Sequence, residues 1–327
     1  MIRITGRGLA ADTHAAHYRV AGQQLVCQEV MDGLAAYACD GKTQQSIDLP
    51  ANFVELPIMT ATNYSPRYSG GAYFDSKFRE VQYWRSQQHG QLDIDGVPAC
   101  QINFSEPHIH VLNTDPLGVG LNLELITGPA LVLLLSLGGT YCMHAGAVDT
   151  VTGRIGIIAE SGAGKSTLSQ HVDDGWRQVS DDIMPLQISN SGSQIEVFTD
   201  FPQLKLSDNK VQYSDSDGDS EGNYDGSYDG SYDGDTGRKK LDYLLRINPV
   251  PGESISFSRL PRVQAMLQVV RHTVAAKLFD TTTLREHARF AKKVSTLVPV
   301  IEVSYPRDLD KLDQLRHSII DYLRSMA

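Results

Sequence analysis

At 327 residues, 41% apolar and 21% charged, the chain has the composition of a globular protein with enough apolar side chains for one large core or two smaller ones. Its net charge of −10 is concentrated, because residues 214–237 hold eight acidic side chains and no Lys or Arg; the rest is left near neutrality, which argues against a strongly basic surface built for nucleic acid. The longest apolar run, Ala130–Leu137, is too short to cross a bilayer, the N-terminus lacks a signal-peptide apolar run, and Cys27, Cys39, Cys100 and Cys142 form no C-x-x-C pair. These features read as a cytoplasmic chain with reduced thiols and with neither a membrane nor a nucleic-acid partner.

Residues 1–115 alternate apolar and polar positions in short runs such as Gln91–Asp95 and His108–Leu112, separated by Gly, Pro, Asn and Asp, and are expected to be a strand-rich region that recognises substrate. From Gly118 to Leu137 the spacing turns helical, with Gly128-Pro129 as a break between two pieces. Tyr141–Val148 reads as one strand and Arg154–Ala159 as the next, ending at a Gly-rich loop. A helix is expected from Lys165 to about Val172, stopping near Gly175, and Trp176–Ser180 is expected to be a strand that delivers Asp181 and Asp182 at its end.

The tract 214–237 repeats Tyr-Asp-Gly, is polar and like-charged, and has too little apolar surface to offset the entropy of ordering, so it is expected to be a disordered insertion. Beyond it, Arg262–Phe279 places Val263, Met266, Leu267, Val270, Val274 and Leu278 on one helical stripe. A strand at Val300–Ser304 and a helix at Leu309–Leu323 complete an α/β region over 116–327.

The loop is Ala159-x-x-x-x-Gly164-Lys165-Ser166, a Walker A pattern with alanine in place of the first glycine. Its glycines let backbone N–H groups curl around phosphates, the lysine neutralises their oxygens, and the serine hydroxyl serves Mg²⁺. Ser161, Gly162, Ala163, Gly164, Lys165, Ser166 and Thr167 are therefore the candidate nucleotide-binding residues, with ATP and Mg²⁺ as the implied ligands. Asp181-Asp182 follows only sixteen positions after Lys165. One carboxylate near Mg²⁺ and a second accepting a hydroxyl proton is the pairing that phosphoryl transfer to an alcohol requires.

The segments Met143–Val148, Gly153-Arg154, Ile157–Leu168 and Val179–Asp182 together resemble the catalytic domain of HPr serine kinase and its relatives, including lasso precursor peptide kinases, over roughly residues 120–325. The resemblance implies a P-loop core with a mixed sheet similar to that of HPr kinase and phosphoenolpyruvate carboxykinase. It also implies a serine or terminal hydroxyl of a peptide or small protein as acceptor. By position it places His144 beside the site, Lys165 on the phosphates, Ser166 and Asp181 on the metal, and Asp182 as base, with the order of the two aspartates open to reversal. Thr167 stands where HPr kinases proper usually carry an acidic residue, so HPr itself is not implied as the substrate. An NTP hydrolase without a hydroxyl acceptor, a nucleotide-sensing regulatory module, and a homo-oligomeric state all stay open at this point.

Overall fold

The computed structural model describes residues 1–6, 16–27, 34, 38, 58–74, 77–112, 124–170, 175–199, 201, 238–252, 254–308 and 311–326. The expected insertion at 214–237, the boundary near residue 115, the end of the helix near Val172, and Cys39 lie outside them. The architecture is mixed α/β with a strand-rich N-terminal part, as expected.

Eight strands come first: β1 (Ile2–Gly6), β2 (Ala16–Val20), β3 (Gln23–Cys27), β4 (Pro66–Phe74), β5 (Lys77–Arg85), β6 (His89–Ile94), β7 (Val97–Asn103) and β8 (His108–Val111). They form one sheet in the order β2-β3-β1-β8-β7-β6-β5-β4, antiparallel except where β1 runs parallel to both of its neighbours. The period of two sends Leu92, Ile94, Ile102 and Ile109 into the core. Gln91, Gln101, His108 and His110 on the other face are buried as well. Several of their polar atoms find partners: the Thr5 hydroxyl lies 2.8 Å from a ring nitrogen of each histidine, and the Gln91 amide bonds both the N–H and the C=O of Met59. Burial, helped by the neighbouring His110 and Arg3, lowers the pKa of His108 to about 4.

A turn of π-helix at Ile126–Ala130, with Gly128 off helical geometry and Pro129 inside it, forms the expected break before α1 (Leu131–Leu137). There follow β9 (Tyr141–His144), β10 (Gly146–Thr150), β11 (Gly153–Ala159), α2 (Lys165–Gln170), β12 (Trp176–Ser180), β13 (Ile183–Ile188) and β14 (Ile195–Phe198). The remaining elements are β15 (Arg238–Lys240), β16 (Tyr243–Val250), β17 (Ser256–Arg259), α3 (Arg262–Arg271), α4 (Thr281–Leu297), β18 (Val300–Pro306) and α5 (Leu312–Met326). Among the described residues no helix is long and apolar enough to cross a membrane.

The later strands divide between a six-stranded sheet, β12-β10-β11-β16-β18-β17, and a four-stranded one, β15-β14-β13-β9. The expected single strand Tyr141–Val148 is therefore two. It breaks at Ala145, where the chain leaves the smaller sheet for the larger, and the Ala145 N–H bonds the Asp182 carbonyl at 3.1 Å. Asp181-Asp182 marks the reverse passage, from β12 in the larger sheet to β13 in the smaller. The two crossings lie side by side.

One face of the six-stranded sheet (Ile155, Ile157, Leu245, Ile247, Ile301, Val303) packs on Leu315, Ile319 and Leu323 of α5. The other face shares a core with α1, α4, the four-stranded sheet and the inner face of the eight-stranded sheet. Arg67 donates to the Phe279 carbonyl, and Arg85 pairs at 3.0 Å with Asp280, which caps α4 by accepting from the Thr283 N–H.

The expected helix 262–279 also differs. It stops at Arg271, and a bend through Ala275, at φ 57°, redirects the chain. Ala265 and Val269 are the residues it buries, while Val263 (72% exposed), Leu267 (57%) and Val270 (36%) face solvent. The expected stripe is therefore split: Met266, Val274 and Leu278 pack on the core, while Val263, Leu267 and Val270 form an exposed ridge.

Candidate functional site

Strand β11 ends at Ala159 and α2 begins at Lys165, so residues 160–164 must turn the chain sharply. Gly162 (φ 77°) and Gly164 (φ 89°) supply left-handed backbone that a side chain would strain. A Cβ on Gly164 would also sit 3.1 Å from the Tyr305 hydroxyl. Ala159 still belongs to the strand and is buried, which is why a methyl is tolerated where the pattern usually has glycine. The Ala163 N–H closes the turn on the Glu160 carbonyl at 3.1 Å.

Two side chains, one at the end of β18 and one just after it, grip this loop. The Tyr305 hydroxyl donates to the Ala163 carbonyl, and Arg307 Nη2 donates to the Gly162 carbonyl at 3.0 Å. In a trans peptide the C=O and N–H point in opposite directions, so holding the Ala163 carbonyl turns the Gly164 N–H to the other side of the peptide plane. Burial raises the pKa of the Tyr305 phenol, which keeps it a donor at neutral pH. Neither residue was singled out from the sequence. The available signal was their place at the carboxyl end of an apolar strand in a parallel set, since β11, β16 and β18 run parallel and ligands collect at the carboxyl ends of such strands.

We expect Tyr305→Phe to weaken binding of a fluorescent ATP analogue about fivefold, the value of one lost hydrogen bond near 1 kcal/mol, with the melting temperature within a few degrees of the parent. Unchanged affinity in that titration would show that the loop keeps its shape without the phenol.

Lys165 is 8% exposed; its Nζ donates to the Asp181 carbonyl at 2.7 Å and lies 3.3 Å from Asp182 Oδ1. His144, the last residue of β9, brings Nδ1 to 3.2 Å from the same carboxylate oxygen. The paired crossings are what make this possible, because each delivers its residue to the gap between the two sheets. Asp181 is 3% exposed and turns toward α2, its Oδ1 3.4 Å from the Ser169 hydroxyl, which in turn donates to the Ser166 carbonyl at 3.2 Å. Gly146 permits that approach, since a Cβ there would lie 3.2 Å from Ser169 Cβ. Trp176 ties α2 to β12 by donating its indole N–H to the Leu168 carbonyl at 3.0 Å.

A cavity of about 660 Å³ opens over the loop, lined by all of Ser161 through Thr167, by His144 and Asp182, and on the far wall by Tyr305 and Arg307. The predicted site residues are thus brought together around one space, except Asp181, which sits behind it. A second cavity of about 220 Å³ shares His144, Glu160 and Ser161 with the first and adds Arg271, His272 and Thr273. Arg271 Nη2 pairs with Glu160 Oε1 at 3.0 Å, both side chains being more than half exposed. His272 is 7% exposed, its carbonyl accepts from the His144 N–H at 2.7 Å, and its Nε2 has no hydrogen-bond partner among the described residues. Burial lowers its pKa below the ordinary imidazole value, with the Glu160 carboxylate acting in the opposite sense.

The residues present fit a triphosphate and its divalent cation: a loop with left-handed glycines at Gly162 and Gly164, a buried lysine, and in the Ser166 hydroxyl an oxygen donor of the kind a hard ion takes. No protein-family model and no curated protein matches the chain. Among solved structures, the Hpr(Ser) kinase/phosphatase from Coxiella burnetii is similar at 13% identity, over 57% of this chain and 99% of that one, with a TM-score of 0.30. So loose a superposition carries no argument, and the function is argued from the site itself.

Proposed function

We propose that the protein is an ATP-dependent, Mg²⁺-requiring phosphotransferase acting on a serine or terminal hydroxyl of a peptide or small protein. The observation that carries this reading is the triad at the loop, in which Lys165 and His144 converge on one oxygen of Asp182 beside the phosphate cavity. Bound Mg²⁺-ATP would supply the phosphoryl group and the counter-charge for its oxygens.

The chain's own residues do the rest. The loop N–H groups and Lys165 orient the phosphates, and Ser166 holds the metal side, backed by Asp181 through Ser169. Asp182, aimed by its two partners, orients the acceptor hydroxyl and takes its proton as the new oxygen–phosphorus bond forms and ADP departs. Such transfer depends chiefly on positioning, which suits a carboxylate fixed at two points. The second cavity gives an acceptor a place to stand beside His144, whose ring reaches Asp182, and pure hydrolysis does not require one.

The test is mass spectrometry of serine-containing peptides incubated with the full chain, ATP and Mg²⁺. A gain of one phosphoryl mass, absent with Mg²⁺ chelated, is expected. ADP and free phosphate accumulating with every acceptor would mean a hydrolase instead.

A further inference from the structure

The apolar ridge of α3 is directed at the smaller cavity. Val263, Leu267 and Val270 recur at one face of the helix, all exposed, and the helix ends in Arg271, His272 and Thr273, which form the cavity wall. Exposed apolar residues scattered singly need no explanation, but a ridge in line with a site does. Over residues 254–279 the sequence holds Arg259, Arg262, Arg271 and Lys277 and no Asp or Glu, and the acidic residue lining the cavity, Glu160, is the one paired with Arg271. Arg259, Arg262 and Arg271 are exposed.

Inside the cavity, His272 is more than nine-tenths buried with Nε2 unpaired, beside an Arg271 whose link to Glu160 is an exposed ion pair of little strength. An incoming carboxylate can displace Glu160 from Arg271 at small cost.

We propose that α3 and this cavity form the docking site for the acceptor, and that the acceptor is an extended peptide segment combining apolar and acidic side chains. Its apolar residues lie along Val263, Leu267 and Val270, an acidic group meets Arg271, and the hydroxyl-bearing residue enters between His272 and His144, facing Asp182. The ridge from Val263 to Arg271 spans about 12 Å of helix, the length of roughly four residues of extended chain, so the recognised segment is short. This assignment rests on the phosphotransferase reading for what happens to the hydroxyl, but docking itself needs no turnover.

The experiment uses two fluorescein-labelled nonapeptides, each with one serine among alternating Leu and charged residues, the charges being Glu in one and Lys in the other. Fluorescence anisotropy with the full chain is expected to show the Glu peptide binding at least about tenfold more tightly. Leu267→Gln, at an exposed position, is expected to weaken that binding about tenfold while affinity for a fluorescent ATP analogue is unchanged. Equal binding of the two peptides, binding of neither, or indifference to Leu267→Gln overturns the proposal. So does sedimentation showing a dimer that Leu267→Gln disperses, because the ridge would then be covered by a second copy. Peptide binding without phosphoryl transfer would remove the kinase reading and leave the docking site standing.

Discussion

Lys165→Ala is expected to reduce nucleotide affinity about a hundredfold, measured by titration with a fluorescent ATP analogue. The ammonium group is buried against the loop, and each charge-assisted bond it makes to a phosphate contributes about 1.5–3 kcal/mol. The folded chain loses something too, because the Asp181 carbonyl and Asp182 both give up a donor. Asp182 keeps His144, and its carboxylate is partly open to solvent, so the melting temperature should fall by only a few degrees. A variant that unfolds outright would show that the lysine serves the fold before it serves the nucleotide.

Asp182→Asn should behave in the opposite way. The amide oxygen still accepts from Lys165 and the shape is kept, so nucleotide affinity stays within about threefold of the parent, while turnover drops by about two to four orders of magnitude as the proton acceptor is lost. Single-turnover transfer to an accepted peptide separates the two effects. If the two substitutions depress ATP affinity equally, Asp182 is part of the nucleotide cradle and not the base.

What could be read from the sequence was what depends on neighbours in the chain. The loop from Ser161 to Thr167 is contiguous, its glycines announce their own backbone, and all of it lines the cavity. Trp176–Ser180 emerges as the strand expected, because a buried tryptophan and a short bounded run define it locally. The ridge on α3 shows the limit: periodicity reveals that one face of a helix is apolar, and nothing about whether that face meets protein or water. The break at Ala145 is hidden for a similar reason, since it is caused by a hydrogen bond to Asp182 far along the chain. The polar residues Gln91 and Gln101 sit in strands whose alternation suggests a wet outer face, yet both are fully covered. Tyr305 and Arg307 carry only the signal of a strand end, because their role depends on where β18 ends relative to β11.

That separation has a consequence in time. The tyrosine that fixes the phosphate loop lies 142 residues after the carbonyl it holds. At synthesis rates of about 5–20 residues per second, the loop leaves the ribosome roughly 7–28 seconds before its clasp does. During that interval the nascent chain carries the glycines and the lysine without the outer grip of Tyr305. The proposed nucleotide site is therefore complete only once β18 has emerged, and arrested chains ending before β18 should engage ATP more weakly than chains that include it.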